Sequence, residues 1–324
     1  MTYGHVSAML HEAVACLNCR PGGIYVDGTI GGAGHARAIC LEIMPGGKLI
    51  GIDQDRDAIA NARTLLEPFA PDVHLYHGNF INLPEYLHEL QVDAVDGILL
   101  DLGLSQHQLE SSGRGFSFQK DEPLDMRMDI RSPKKAADLI NDLAEQELVR
   151  IFKDYGEERW SKRIAGAIVA ARGRSRLQTS RQLAEVVRSA VPRRAAARQK
   201  IHPATRVFMA LRIAVNKELE RLETFLDTAP DYLSPGGRFC VLAFHSLEDR
   251  MVKQRFKELA RGCICPPDLP LCACGRKPRV RLITKKALRP SPEEVARNPM
   301  ARSTRLRVVE KLPGHGRDAA GQRA

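Results

Sequence analysis

The sequence predicts an α/β protein built on a doubly wound, seven-stranded sheet with an inserted all-helical domain. Three observations carry this expectation. Short apolar runs alternate with helical patterns at the start of the chain, and the same pattern returns near its end. A glycine-rich turn joins the first strand to the helix that follows it. Between the two α/β stretches lies a block that reads as helix throughout and carries most of the positive charge.

Taken in order, residues 7–18 (SAMLHEAVACLN) read as a short amphipathic helix. Strand 24–27 runs into Asp27 and a loop holding Gly28, Gly31, Gly32 and Gly34. Glycines at such a turn let a ligand approach the backbone, and the N–H groups of the helix start face it. Helix 34–44, strand 48–53, helix 55–67, strand 72–76, a helix near 83–90 and strand 95–101 follow. Alternation of this kind predicts parallel strands joined by right-handed crossovers. The fourth strand, DGILLDLG, is almost wholly apolar, as a strand covered on both faces should be. Asp53 sits at the tip of the second strand, where an acid accepts hydrogen bonds from a ribose diol. Glycine loop and acid together indicate a nucleoside-containing cofactor without saying which one.

From 105 to 135 the chain is polar and reads as more loop than element, with 121–131 (DEPLDMRMDIR) expected to cover the site. Within that loop Asp125 and Arg127 suit an ion pair as well as they suit substrate contacts. From 136 to 227 the pattern is helical and ends in one long run over 203–226 with Pro203 at its first turn. Thr179 or Ser180 is the expected cap of helix 181–190. Residues 150–221 hold 18 Lys/Arg against 6 Asp/Glu, which accounts for the whole net charge of +10. A local excess of this size suits phosphate binding through counterion release, so nucleic acid is the expected partner. After the turn Pro235-Gly236-Gly237 come a strand (RFCVLAF), His245-Ser246 and the helix LEDRMVKQRFKELA. Two β-rich runs, 279–284 and 304–310, form a closing hairpin pair. Seven strands ending in a hairpin fit the methyltransferase variant of the doubly wound, Rossmann-like sheet better than a six-stranded dinucleotide fold.

The expected division is therefore a discontinuous α/β domain over 1–104 and 228–312, an insertion over 105–227, and a disordered tail over 313–324. Hydrophobic content of 44% and charged content of 27% are those of a globular domain. No run reaches the ~18 apolar residues of a membrane span, and the start shows no signal pattern, so the expected location is the cytoplasm, with no membrane partner. Of eight cysteines, Cys16, Cys19, Cys40 and Cys240 read as small core hydrophobes. Cys263, Cys265, Cys272 and Cys274 have the number for tetrahedral zinc, but C-x-C is tighter than the usual C-x2-C. A reduced, metal-free loop is the favoured expectation there, and no metal ligand is assigned. Oligomeric state stays open.

These motifs together resemble the bacterial ribosomal RNA small-subunit methyltransferase H family. The resemblance is carried by HEAV (11–14), VDGTIGGAGH (26–35), IDQD (52–55), DGILLDLGLS (96–105), PLDMRMD (123–129), YGEERW (155–160), HPATR (202–206), FHSLEDR (244–250) and NPMARSTRLR (298–307), in order over nearly the whole chain. It implies S-adenosylmethionine as cofactor, methylation of N4 of a cytidine in the decoding region of 16S rRNA as the reaction, and the small ribosomal subunit as partner. Carried over position by position, it implies cofactor contacts from Ala33, Gly34, His35, Asp53, Phe80, Asp101 and Gln108. Ala36 stands where the family often has Ser, and Gln106-His107 where it more often has Ser-Pro. Other amino-methylating enzymes carry a short Pro-Pro-aromatic motif after strand four, and this chain has Asp101-Leu-Gly-Leu-Ser105 instead. The candidates for contacts to the base are Asp101, Ser105, His245 and Ser246; the alternative for His245 and Ser246 is that they cap the helix after them, Ser246 being a fair N-cap with Asp249 at its third position. Two other readings compete: a nicotinamide-dependent oxidoreductase, and a non-catalytic RNA-binding assembly factor that keeps the fold.

Overall fold

The computed structural model describes residues 7–70, 72–197, 201–265 and 274–314. The described chain divides into two compact units, one made of Met1–Gly103 with Arg221–Ala324, the other of Leu104–Glu220.

The first unit begins with α1 (Leu10–Leu17), β1 (Ile24–Asp27), α2 (Gly34–Ile43), β2 (Lys48–Asp53), α3 (Arg56–Leu66), β3 (Val73–His77), α4 (Leu83–Glu89) and β4 (Val95–Asp101). The second unit carries α5 (Gln106–Glu110), α6 (Ala136–Asp142), α7 (Glu145–Asp154), α8 (Ser161–Arg172), α9 (Ser180–Ala190), α10 (Arg193–Ala197) and α11 (Ala204–Asn216). Helix α12 (Glu218–Thr228) leads back to β5 (Leu233–Ala243), α13 (Ser246–Ala260), β6 (Val280–Leu282), α14 (Pro292–Arg297) and β7 (Arg305–Lys311). Among the described residues no helix is long and apolar enough to cross a membrane.

The sheet has seven strands in the order β3-β2-β1-β4-β5-β7-β6. The first five run parallel, and β7 pairs antiparallel with both β5 and β6. Successive strand residues point to opposite faces, so two cores form. Val26, Ile50, Ile98, Leu100, Phe239, Val241 and Val309 belong to one, with Leu87, Phe225 and Phe256 from the covering helices. Tyr25, Leu49, Leu99, Cys240, Leu242 and Val308 belong to the other, with Ala13, Leu17, Ile39, Ile43 and Ala62. Burial on both faces is why these strands read as unbroken apolar runs. Cys40 and Cys240 are buried in that second core, and Cys16 and Cys19 are half-buried against it.

The helical unit packs around Met126, Leu148, Phe152, Ile164, Ile168, Leu183, Val187 and Leu211. Its N-terminal strap is more bonded than its composition suggests. The Asn216 side chain accepts from Met128 N–H at 2.8 Å and donates to the Met126 carbonyl at 2.8 Å. Arg114 donates to the Arg127 and Met128 carbonyls, and Asp125 takes a bidentate pair from Arg127. Arg127 Nη1 also donates to the Ile130 and Ser132 carbonyls, which ties the side chain into the strap. The strap also holds one short helix, α5, where 105–135 reads as mostly loop.

The single helical run expected over 203–226 is broken. Lys217 takes a left-handed conformation (φ 50°, ψ 40°), its N–H closing α11 on the Ile213 carbonyl, and α12 starts at the next residue. The Arg212 guanidinium then meets the Glu218 carboxylate through two 2.9 Å bonds. Residues six apart lie on different faces of a continuous helix, so this pair requires the break. At the other cap, Thr179 is the residue that closes α9, in a reciprocal box with Gln182.

Candidate active site

The carboxyl ends of β1, β2 and β4 lie side by side, with β1 between β2 and β4. Chain order reverses there, which in open α/β sheets leaves a crevice for a ligand. Each strand ends in an acid: Asp27, Asp53 and Asp101.

The turn after β1 is bonded to both neighbouring strands. Gly28 N–H donates to the Leu99 carbonyl at 2.9 Å, and Ile30 N–H to the Ile52 carbonyl at 3.0 Å. A Cβ at Gly28 would stand 2.6 Å from the Leu100 side chain, so only glycine lets β1 leave the sheet here. Asp27 is buried and accepts from Thr29 N–H at 3.1 Å, an Asx turn, while Thr29 Oγ1 accepts from Asp101 N–H at 2.6 Å. The loop then passes through left-handed Ala33 (φ 61°) into α2, whose N-terminus no side chain caps. The first N–H groups of α2, from Gly34 and His35 onward, therefore suit an anionic or strongly polar ligand group.

His35 and Asp101 form the centre of the arrangement. The imidazole is buried, with Nε2 3.1 Å from the Ala8 carbonyl and Nδ1 3.4 Å from Asp101 Oδ2. A carbonyl only accepts, so Nε2 carries a proton. Facing a carboxylate, Nδ1 is where a second proton, and with it a positive charge, is favoured. Burial works against that charge, but the Asp101 carboxylate outweighs it, so the His35 pKa is raised. Asp101 Oδ1 is buried without a hydrogen-bond partner among the described residues. An acceptor held in place on one oxygen and unsatisfied on the other fits an incoming N–H donor.

Asp53 accepts from Gly31 N–H and Asp55 N–H, both at 2.8 Å. Burial nevertheless raises its pKa to about 7, and burial raises Asp27 to about 6 despite the charge of His35. Each Asp53 oxygen retains a lone pair for a ribose hydroxyl. Phe80 opens a short 3-10 turn after β3 and is 7% exposed, its ring 5.0 Å from that of Phe225. These features fit the loop, acid and N–H acceptor that S-adenosylmethionine requires.

The remaining candidates fall elsewhere. Ser105 and Gln108 lie in the helical unit, where they cap α5 reciprocally: Ser105 Oγ takes the Gln108 N–H and Gln108 Oε1 takes the Ser105 N–H. His245 follows β5, which pairs with β4 so that Asp101 stands opposite Leu242. Of the two cap candidates, His245 is the N-cap of α13, its Nδ1 accepting from Glu248 N–H at 3.4 Å, and Glu248 rather than Asp249 reaches back to the Phe244 and His245 N–H groups. His245 Nε2 lies 3.1 Å from Glu248 Oε1, outside hydrogen-bond alignment. Ser246 is exposed at the first turn of α13. Asp249 instead binds Arg305 and Arg307 of β7 at 2.5 and 2.7 Å.

Two features escaped the sequence reading. Thr29 and Asp27 position Asp101 and the turn, and the Asp-x-Thr spacing was the available signal. Beside His245 and Ser246 opens a cavity of about 340 Å³ that Arg289, Arg302, Thr304 and Arg305 also line. No pattern in the sequence brings Arg289 to Arg305. Of the cysteine cluster, Cys272 lies outside the described residues.

The sequence matches the MraW methylase family over residues 2–312. The ribosomal RNA small subunit methyltransferase H of Desulfosudis oleivorans is 56% identical over 312 residues, 96% of this chain and all of that protein. That of Desulforapulum autotrophicum is 55% identical with the same coverage, and that of Geobacter sulfurreducens 52% identical over 96% of this chain and all of that protein. With the match spanning both units of the structure, the chain belongs to the MraW methylase family.

Proposed function

We propose that this protein transfers a methyl group from S-adenosylmethionine to N4 of a cytidine in the decoding region of 16S rRNA, within the small ribosomal subunit. The observation that carries the reading is Asp101, a carboxylate at the carboxyl end of β4 with one oxygen held by His35 and the other buried and unsatisfied.

When bound, S-adenosylmethionine supplies a methyl group on a sulfonium centre, ready for in-line displacement. Asp53 would orient the ribose through its hydroxyls, and Asp101 Oδ1 would accept a hydrogen from the ammonium group. The uncapped start of α2, after Ala33 and Gly34, would hold the rest of the amino-acid portion. Phe80 would supply the apolar side for the adenine. The exocyclic amine of cytosine is a poor nucleophile because its lone pair is delocalised, so positioning supplies much of the rate. His245 contacts the base. Ser246 is the hydroxyl assigned to the base or to the late-departing N4 proton.

Basic surface supports an RNA substrate. The cavity beside His245 is lined by three arginines and no acid. In the helical unit a groove of about 640 Å³ between α8 and α9 is rimmed by Arg163, Arg174 and Arg176 over a floor of Ala167, Ala171 and Val186. Such surfaces position a phosphate backbone and carry no sequence information themselves.

The test is transfer of labelled methyl to small subunits from a strain lacking this modification, followed by nucleoside analysis. Label in N4-methylcytidine is the expected result. Label in another nucleoside overturns the substrate assignment. No transfer by a protein that binds the cofactor makes it an assembly factor.

A further inference from the structure

The segment between α13 and β6 holds a group of thiols that methyl transfer does not use. Sγ atoms of Cys263, Cys265 and Cys274 lie within 4.8 Å of one another. Cys263 and Cys274, eleven residues apart, bring their sulfurs to 3.8 Å. A disulfide needs about 2.05 Å, so this is not a distorted disulfide. With Zn–S bonds of about 2.3 Å, the edge of a tetrahedral thiolate site is about 3.8 Å, which is the separation found.

Three further features belong to a metal site rather than to a chance meeting of thiols. The Cys265 backbone N–H points at Cys263 Sγ at 3.4 Å, a bond that favours a thiolate and fixes its direction. Gly275, directly after Cys274, sits at φ +60° with open space where a Cβ would be, so the chain turns sharply as it leaves the third sulfur. Arg261, Arg276 and Lys277 flank the group, and several thiolates around a divalent cation carry net negative charge that such cations offset. The segment is also anchored at its base, where Arg279 N–H donates to the Leu259 carbonyl and the Arg276 side chain to that of Glu258.

The geometry points to a structural zinc site with Cys263, Cys265 and Cys274 as thiolate ligands, clasping the segment that joins α13 to β6. An all-sulfur donor set selects a soft or borderline cation, and a tetrahedral edge of this length suits zinc. The convergence of Cys263, Cys265 and Cys274 is the ground for proposing a metal where the C-x-C spacing favours a metal-free loop.

The test is zinc content of the untagged full chain, produced with zinc in the medium and purified without chelator. About one zinc per chain is expected, falling below a tenth in Cys263→Ser and Cys274→Ser. Cobalt added to the zinc-stripped wild type is expected to give the intense near-ultraviolet thiolate absorption and tetrahedral visible bands of a sulfur site. That readout does not depend on the variants folding. Wild type with less than a tenth of an equivalent and no cobalt spectrum overturns the site, as does full zinc in both variants. Iron in place of zinc overturns the choice of metal.

Discussion

At the scale of single residues, the site depends on how His35 and Asp101 share charge. Removing the carboxylate leaves His35 buried beside a neutral group, and burial then dominates its titration. In Asp101→Asn the His35 pKa, raised in the native chain, is expected to fall, as read by nitrogen-15 NMR of the imidazole. An unchanged value would mean that Asp101 does not hold the imidazolium. The same variant should weaken S-adenosylmethionine binding by about 10- to 100-fold in calorimetry, the worth of a hydrogen bond to a charged group. Asp53 adds a pH dependence. Its folded pKa of about 7 lies above the ordinary carboxylate value, so proton uptake favours the cofactor-free fold, and that contribution is lost as pH rises through 7. A ribose diol needs the ionised acid, so cofactor binding runs the other way and weakens up to tenfold per unit as pH falls below 7. Asp53→Asn should weaken binding and flatten that slope. A slope that survives the substitution would assign it to another group, with Asp27, at about 6, the first alternative.

Helix and strand ends decide how the elements join. Lys217 pays the steric cost of a left-handed conformation at the junction of α11 and α12. Lys217→Gly should relieve that cost by up to about 1 kcal/mol against a smaller cost from glycine's greater unfolded-state entropy, raising the thermal midpoint by a degree or more. Lys217→Val should lower it, and the reverse order would show that the junction is not strained. On α13, burial of Asp249 opposes its ionisation, but Arg307 and Arg305 outweigh it and hold its carboxyl below the ordinary value. Its stabilising contribution is therefore present above the unfolded pKa and lost as pH falls through the folded one. Asp249→Asn leaves both arginines of β7 without their carboxylate and should cost about 2 kcal/mol in urea unfolding near neutral pH. A cost that does not shrink on acidification would remove the ion pair as its cause.

For the molecule as a whole, the positive charge is a property of one segment and not of the average surface. Part of it is used internally, since Arg172 donates to the Ile140 and Leu143 carbonyls and Arg206 to that of Glu157. Arg163 and Arg174 are exposed on the rim of the α8–α9 groove. Reversing both to Glu should weaken binding to ribosomal RNA, with a shallower dependence of affinity on salt, and leave S-adenosylmethionine affinity unchanged. A salt slope equal to wild type would show that this groove does not meet phosphate.

The order of elements, the parallel sheet with its closing hairpin and the cofactor loop were legible in the sequence, because each is written in local terms. Strand and helix periods, a glycine cluster and an acid at a strand tip all lie within about thirty residues of one another. The family was legible for a related reason, since its motifs are short and run in chain order. Tertiary structure decided what depends on residues far apart in the chain. It broke one long helical pattern at Lys217 to pair Arg212 with Glu218, and chose His245 over Ser246 as the cap of α13. It set His35 beside Asp101, sixty-six residues away. It brought Arg289 to Arg305 around a cavity, and the sulfurs of Cys263 and Cys274 to 3.8 Å. Periodicity records which face of an element is apolar; which polar groups meet is set by how packed elements are oriented, and no local pattern encodes that.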